Sequence, residues 1–379
     1  MRLFGSTRRR AAAEADVAVV GSGLPSRLTA LELGRRGASV VVLGHAAERP
    51  ARGLGLVLLG PGRPYLSVAN AIGRGAAQIV WAAGCENHLR AKAFMGQAAR
   101  DIGYEARGSF LLARDRAQAE ALAESEDMLR DDGFPGEFLD HYMLETRFDL
   151  SGFPGAYWAA EDADLDAQRL LAAVEQAARA AGVVFRPGRA RALRADASGV
   201  KVELEKGSLR AAAAVVATDA PAAGLVPELA PLLRPSGSAR MSLSTLAGAT
   251  LPSVMRTADG RIACQTNAST VGLAEIGPRT SDESADRLTD FATRLPLDLG
   301  SARHLQEAGE VGVDGLPVVG RLPGRPLGVA CGFGPLAPGF AFAAARWVAD
   351  ALLRGTDPTP EALRATRAPS TFEPPGGSQ

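Results

Sequence analysis

Residues 17–45 read VAVVGSGLPSRLTALELGRRGASVVVLGH, and the order of patterns inside that stretch decides the fold. VAVV is a short, continuous, mostly β-branched apolar run, the signature of a strand buried on both faces, and it leads straight into Gly21-Ser22-Gly23. After this turn Leu24, Leu28 and Leu31 recur at helical spacing, Arg35 and Arg36 put positive charge in the last turn, and Gly37 supplies a stop. A second apolar run, SVVVL, follows. Strand, glycine turn, helix and strand make a βαβ unit, whose helix N-terminus offers backbone N–H groups and partial positive charge to a pyrophosphate.

Two positions depart from the dinucleotide fingerprint. Gly21 and Gly23 match its first two glycines, but Ser26 stands at the third, preceded by Pro25; both residues suit a tight first turn. The second strand should end in an acidic residue that grips a ribose hydroxyl, and Gly44 stands there instead. The phosphate cradle is therefore kept while ribose recognition is weakened. With His45 and Arg49 nearby, Gly44 also fits a site that receives a 2′-phosphate.

The rest of the composition sets bounds. A chain of 379 residues has room for about two domains, and its Lys plus Arg and Asp plus Glu both number 42, so charge gives no argument for nucleic acid or an anionic membrane as partner. Cys85, Cys264 and Cys331 lie far apart and form neither a disulfide framework nor a zinc spacing, which points to a reducing cytoplasm. The His residues, 45, 88, 141 and 304, include no pair at metal-ligand spacing, so no metal site is expected. The leader MRLFGSTRRRAAAEAD carries an arginine run but no apolar core for export, and reads as a flexible arm over 1–15. No apolar run approaches the ~20 residues of a membrane span. The segment 356–379, rich in Pro, Thr and Ser, reads as a loose tail.

Further elements return to the first unit. Asp166 caps a predicted helix with Leu170, Leu171, Val174, Ala178 and Ala181 on one face, ending at Gly182. The strands VVFRP, ARALRA, VKVELE and AAAVVAT follow, and near the C-terminal end come LPVVG, PLGVACGF and a helix from about Gly339 to Gly355. Between these lie two helical segments, IGRGAAQIVWAAGCENHLRAKAF and AQAEALAESEDMLRDDG, an aromatic patch, FPGEFLDHYML with FPGAYW, and the strand-like STLAGATL and RIACQTN. The pattern predicts an α/β protein: a Rossmann-like nucleotide-binding domain over 16–60, 164–225 and 301–355, interleaved with an α+β substrate or cap domain over 61–163 and 226–300.

Three blocks, residues 17–43, AARAAGVVFRPGRARAL with AAAVVATDAP, and VDGLPVVGRLPGRPLGVACGF with the last helix, together resemble the FAD-dependent oxidoreductases of the D-amino-acid oxidase type, including glycine and sarcosine oxidases. The likeness runs from about residue 16 to 355. It implies a glutathione-reductase-like FAD domain and hydride transfer to FAD from a C–N bond of a small amine or amino acid, giving an imine that water hydrolyses. It implies cofactor contacts at Gly21, Gly23, Leu24, Pro25, Ser26, Gly44, Arg52, Ala190, Ala217, Gly332, Phe333, Gly339 and Phe340. A helix N-terminus at Gly339 and Phe340 would meet the negative charge that a reduced flavin gathers at its N1 and O2 edge.

Departures from that family cluster at the same places. Gly44 replaces a Glu, ARGLG (51–55) replaces an SGRNAG-like segment, the stretch near Gly309 lacks an Arg, and GFGPLAPGF, with Pro338 at a His position, replaces a GFSGHGF-like turn. No Cys lies between Gly309 and Val313, so FAD is expected to bind non-covalently. Arg303, able to fork onto a substrate carboxylate, and Tyr157 of GAYW are weak candidates for catalytic side chains; a solvated Arg and a core aromatic are the more usual readings of such positions. Tyr65 and Trp158 are further candidates for a pocket wall, though aromatics beside Gly and Pro are more often core plugs. The same departures support a second reading, a catalytically degenerate relative serving as scaffold or partner subunit. A homo-oligomer or second subunit is compatible with either.

Overall fold

The computed structural model describes residues 14–44, 54–96, 99–196, 198–218, 222–245, 251–267, 270–277, 281–295 and 299–369. The chain divides into two compact units, the first Met1–Arg52, Gln168–Pro235 and Gly309–Ser370, the second Gly53–Ala167, Ser236–Ala308 and Thr371–Gln379. Residues 53–60, 164–167, 226–235 and 301–308 thus group with the opposite unit from the one the sequence pattern assigns. One strand, Leu299–Gly312, runs through the expected boundary at 300/301, and another, Leu233–Thr245, spans the division at Pro235, so neither place carries a break that composition could mark.

The first unit is built on the βαβ core. Strand β1 (Ala15–Val20) is buried along its length, helix α1 (Leu24–Arg35) follows the glycine turn, and β2 (Val40–Gly44) returns parallel to β1, with Val17 opposite Val40. The last two residues of the expected arm belong to the fold, since the Glu14 N–H donates to the Arg210 carbonyl at 2.9 Å and Ala15 begins β1; residues 1–13 lie outside the described ones. Helix α2 (Ala167–Ala180) buries Leu170, Val174 and Ala178 of the predicted stripe, while Leu171 and Ala181, the latter just past the helix, are half-buried. Then come β3 (Val184–Pro187), β4 (Ala190–Asp196), β5 (Gly199–Leu204) and β6 (Ser208–Val216), and at the C-terminal end β7 (Val318–Arg321), β8 (Leu327–Cys331) and helix α3 (Ala341–Leu353). The sheet runs β7-β8-β6-β1-β2-β3, with β5 on β6 and β4 on β5. Four of these pairings, β1 with β2 and β6, β2 with β3, and β6 with β8, are parallel, which makes the unit Rossmann-like. Since β1 lies between β2 and β6, the glycine turn opens where the connections diverge, the usual ligand crevice of such sheets. Val20, Val41, Leu43, Val216, Val318 and Val329 belong to one apolar cluster along it. Helices α1 and α3 pack together and are joined by an Arg36–Asp350 ion pair of 2.8 Å.

The second unit holds an eight-stranded, mostly antiparallel sheet, whose one parallel pairing among the described ladders is Val254–Thr257 with Ser109–Leu112. Phe110, Met255, Ala263, Leu273, Leu288 and Phe291 form a buried core. The helix expected over IGRGAAQIVWAAGCENHLRAKAF is longer and interrupted: Tyr65–Ile72 and Arg74–Met95 are separated by Gly73, whose φ of +88° breaks the helix. The FPGEFLDHYML patch forms a strand, Glu137–Asp140, and a helix, His141–Phe148, capped by Asp140 accepting from the Met143 N–H at 2.8 Å. The helix Arg116–Asp131 is capped in the same way by Asp115.

The loose tail needs correction over its described part. Thr359 and Leu363 are buried, the Ala365 N–H donates to the Val319 carbonyl at 2.8 Å, and Arg367 pairs with Asp314 at 2.9 Å. A Pro- and Thr-rich composition measures the lack of an apolar stripe, not the reach of one arginine. Residues 370–379 lie outside the described ones.

Candidate cofactor site

The glycine turn is closed by backbone against backbone. Gly21 has a φ of +144°, and a Cβ placed on it would lie 2.0 Å from the Ala217 carbonyl oxygen, so only glycine fits. The Ala217 N–H in turn donates to Val20 at 2.8 Å, and Gly21 N–H to Leu43 at 2.9 Å, which ties the turn to both neighbouring strands. Gly23 is the N-cap of α1, with no side-chain cap and no acidic residue in the first turn. Pro25 has no N–H to offer, so the first turn presents the N–H groups of Leu24 and Ser26, which a helix start cannot satisfy internally. Ser26 is fully buried, and its hydroxyl donates to the Gly23 carbonyl at 2.8 Å. It therefore fills the third-glycine position by turning its polar atom back onto the turn.

The ribose end is different. A Cβ on Gly44 would lie 2.8 Å from the Gly21 oxygen and 3.0 Å from the Ser22 Cβ, so the turn occupies the space an acidic side chain would need. The Gly44 carbonyl accepts from the Gly188 N–H at 3.0 Å, two residues before Ala190 begins β4. Arg52, His45 and Arg49 lie outside the described residues.

At the other candidate end Gly332 follows β8 with a φ of +73°; its added Cβ would meet Leu233 at 2.7 Å and the Gly312 nitrogen at 3.1 Å. Phe333 is buried and bridges Val311. Gly334–Gly339 make a 3₁₀ turn, and Phe340, rather than Gly339, is the N-cap of α3, which has no side-chain cap and no acid in its first turn. Beside Val311, Glu310 accepts from the Ala222 N–H at 2.6 Å, and burial raises its carboxyl above the ordinary value. Where the resembled family carries a guanidinium nearby, this chain carries a carboxylate.

These residues fit a pyrophosphate and a flavin edge held by main chain, and at Gly44, among the described residues, no carboxylate is offered to the ribose. The sequence did not mark Arg27, which follows Ser26: it is buried and holds Glu175 of α2 at 3.0 Å, bracing the first turn of α1 from 148 residues away. It did not mark Glu310 or the Asp314–Arg367 pair either; their only signal was the DG dipeptide itself.

Tyr157 lies in the second unit and donates to the Pro135 carbonyl at 3.1 Å. With Arg256 and Asp162 it lines a cavity of about 20 Å³, room for about one water molecule. Arg303 lies on the strand Leu299–Gly312, but its side chain is outside the described ones. Tyr65 is a core plug: its ring meets Trp81 edge-on at 4.7 Å and its hydroxyl donates to Asp132 at 2.5 Å. Cys331 is buried, its thiol donating to the Val216 carbonyl at 3.1 Å. Among the described residues no group of three or more His, Cys, Asp or Glu could hold a metal ion, and no helix is long and apolar enough to cross a membrane.

Comparison with known proteins places this geometry. The family described as "FAD dependent oxidoreductase" matches residues 16–351. Glycine oxidase from Geobacillus kaustophilus is similar in structure with a TM-score of 0.72 at 22% identity, over 90% of this chain and 95% of that one. Iminodiacetate oxidase from Chelativorans sp. BNC1 gives a TM-score of 0.73 at 19% identity, over 94% and 100%. L-proline dehydrogenase from P. horikoshii gives 0.71 at 16% identity, over 92% and 96%. No curated protein matches by sequence. With nearly its whole length matched, this chain belongs to the FAD-dependent oxidoreductase family of the D-amino-acid oxidase type.

Proposed function

We propose that the chain binds FAD non-covalently in its first unit and oxidises the C–N bond of a small amine or amino acid, with the second unit as the substrate domain. The observation that carries this reading is the Gly21–Ala217 closure beneath an uncapped helix start, a turn that admits no side chain at Gly21 and so brings main chain up to the free N–H groups of α1. The similar structures bear the names glycine oxidase, iminodiacetate oxidase and L-proline dehydrogenase, which supports a small amino compound as substrate.

The first turn of α1, through Leu24 and Ser26, would hold the pyrophosphate, and the backbone of Gly332 and Phe333 would lie along the ring. When bound, the flavin supplies the hydride acceptor. The N-terminus of α3 would orient its positive end toward the edge that gains charge on reduction, and buried Phe333 and Phe340 keep water from that end. Glu310, as a carboxylate near Phe333, favours a cationic amine over an α-amino acid.

The test is anaerobic titration of FAD-loaded protein with amines that lack a carboxylate and, separately, with α-amino acids, following the visible flavin band. Bleaching by the first group is expected. Protein that retains FAD yet is bleached by neither group counts against C–N oxidation, and protein that is folded but retains none supports the scaffold reading.

A further inference from the structure

The C-terminal segment 356–369 is fastened to the very turn that carries the DG dipeptide. Arg367 reaches Asp314 with two parallel bonds, Nε to Oδ2 and an Nη2 to Oδ1, both 2.9 Å, and the two side chains are only 7% and 1% exposed. Two remaining N–H groups donate to the carbonyls of Pro317 at 3.0 Å and Leu316 at 3.2 Å. Such a planar fork fixes direction as well as charge, and a lysine cannot reproduce it.

The turn so held is tight. Asp314 also accepts from the Leu316 N–H at 3.0 Å, and a Cβ on Gly312 would lie 1.9 Å from the Leu316 oxygen, so Gly312 and Leu316 touch through backbone. The Gly312 N–H donates to the Gly332 carbonyl at 3.3 Å, and Val311 bridges Phe333. A continuous line of contacts therefore runs from Arg367 through the turn to Gly332, the residue at which main chain would meet the flavin.

We propose that Arg367 is a positioning residue of the flavin site: by gripping the Asp314 turn it sets where Gly332 stands and so how well FAD is retained. This rests on the FAD reading above. The other end of the segment is held separately, by Asp357 accepting from the N–H groups of Arg321 at 2.9 Å and Thr359 at 3.0 Å. That second anchor provides the control.

The experiment measures FAD dissociation constants by flavin fluorescence, and limited proteinase K digestion without added FAD, for the full chain and for Arg367→Ala, Arg367→Lys and Asp357→Ala. Arg367→Ala is expected to weaken FAD on the order of tenfold, the ordinary size of coupling between two sites, and to admit cuts within 356–369. Arg367→Lys should fall between it and the parent. Asp357→Ala should admit cuts as well but change FAD affinity by no more than about twofold, as for a change away from the turn. Parent-like affinity in Arg367→Ala overturns the proposal, and so does an equal loss in Asp357→Ala, which would mean general loosening. If the parent itself binds no FAD, the flavin reading falls and the positioning role with it, while the digestion still decides whether Arg367 holds the segment.

Discussion

At Gly21 the first unit brings main chain against main chain, with Ala217 where a side chain would be, whereas at Asp162 and Asp164 the second unit buries charge and satisfies it from far along the sequence. Asp162 accepts from the Leu59 N–H at 2.7 Å and the Ser109 hydroxyl at 2.6 Å, and faces Arg256 at 3.6 Å. Asp164 is held by Arg107 at 3.1 Å. Burial nevertheless pushes both carboxyls up, Asp164 to about 6, and pushes the Arg256 guanidinium down. The difference teaches where each kind of design can be seen. A close backbone approach demands glycine, and glycine is visible in a sequence; a buried charge demands only some partner somewhere, and that partner is not.

The largest effect expected on this contrast is at the turn. Gly21→Val should cost more than about 4 kcal/mol, because backbone cannot yield by the needed distance; a thermal melt checks it, and a loss under about 1 kcal/mol would mean the turn opens freely. Removing one partner of the buried pair is next. Asp162→Ala strands Arg256 and should cost about 3–5 kcal/mol in a urea melt. A neutral outcome would place Arg256 in water.

Asp164 sharpens the charge side through pH. Its folded value lies above the ordinary 3.8, so the folded state binds the proton more tightly than the unfolded chain. Its contribution is most favourable below about pH 4 and declines as pH rises to about 6, by up to about 3 kcal/mol. Asp164→Asn should flatten that part of the stability profile; an unchanged slope would assign it to other groups. The smallest effects separate crowded from open glycines. Gly44→Glu, which restores the acid typical of the fingerprint, should lower stability by about 1–3 kcal/mol without tightening FAD. Gly75→Ala, at an exposed position of the helix Arg74–Met95 with nothing within 4 Å, should raise it by about 0.5 kcal/mol.

Much of the first unit was legible because two periods alternate cleanly there: β1, α1, β2, and then α2 with β3 to β6 all fall where the apolar spacing puts them. The close backbone approaches were legible for the same reason that they are constrained, through Gly21 and Gly332. Arg27 was hidden because its partner Glu175 is 148 residues away, and Arg367 because a Pro- and Thr-rich tail gives no apolar pattern with which to place it. Tyr65, read as a pocket wall or a core plug, is both, since its ring packs on Trp81 and lines the small cavity beside Tyr157; only its partner Asp132 had no local signal. Gly44 was read as a lost ribose contact, and the structure adds that the space itself is taken by the turn.

The central claim is that main chain alone, without an acid at Gly44, holds the cofactor. The most direct measurement is the visible absorption spectrum of the purified protein after saturation with FAD and removal of the unbound part. A retained flavin band, lost in a folded Gly21 variant, is the expected result. A well-folded parent protein with no flavin band would contradict it.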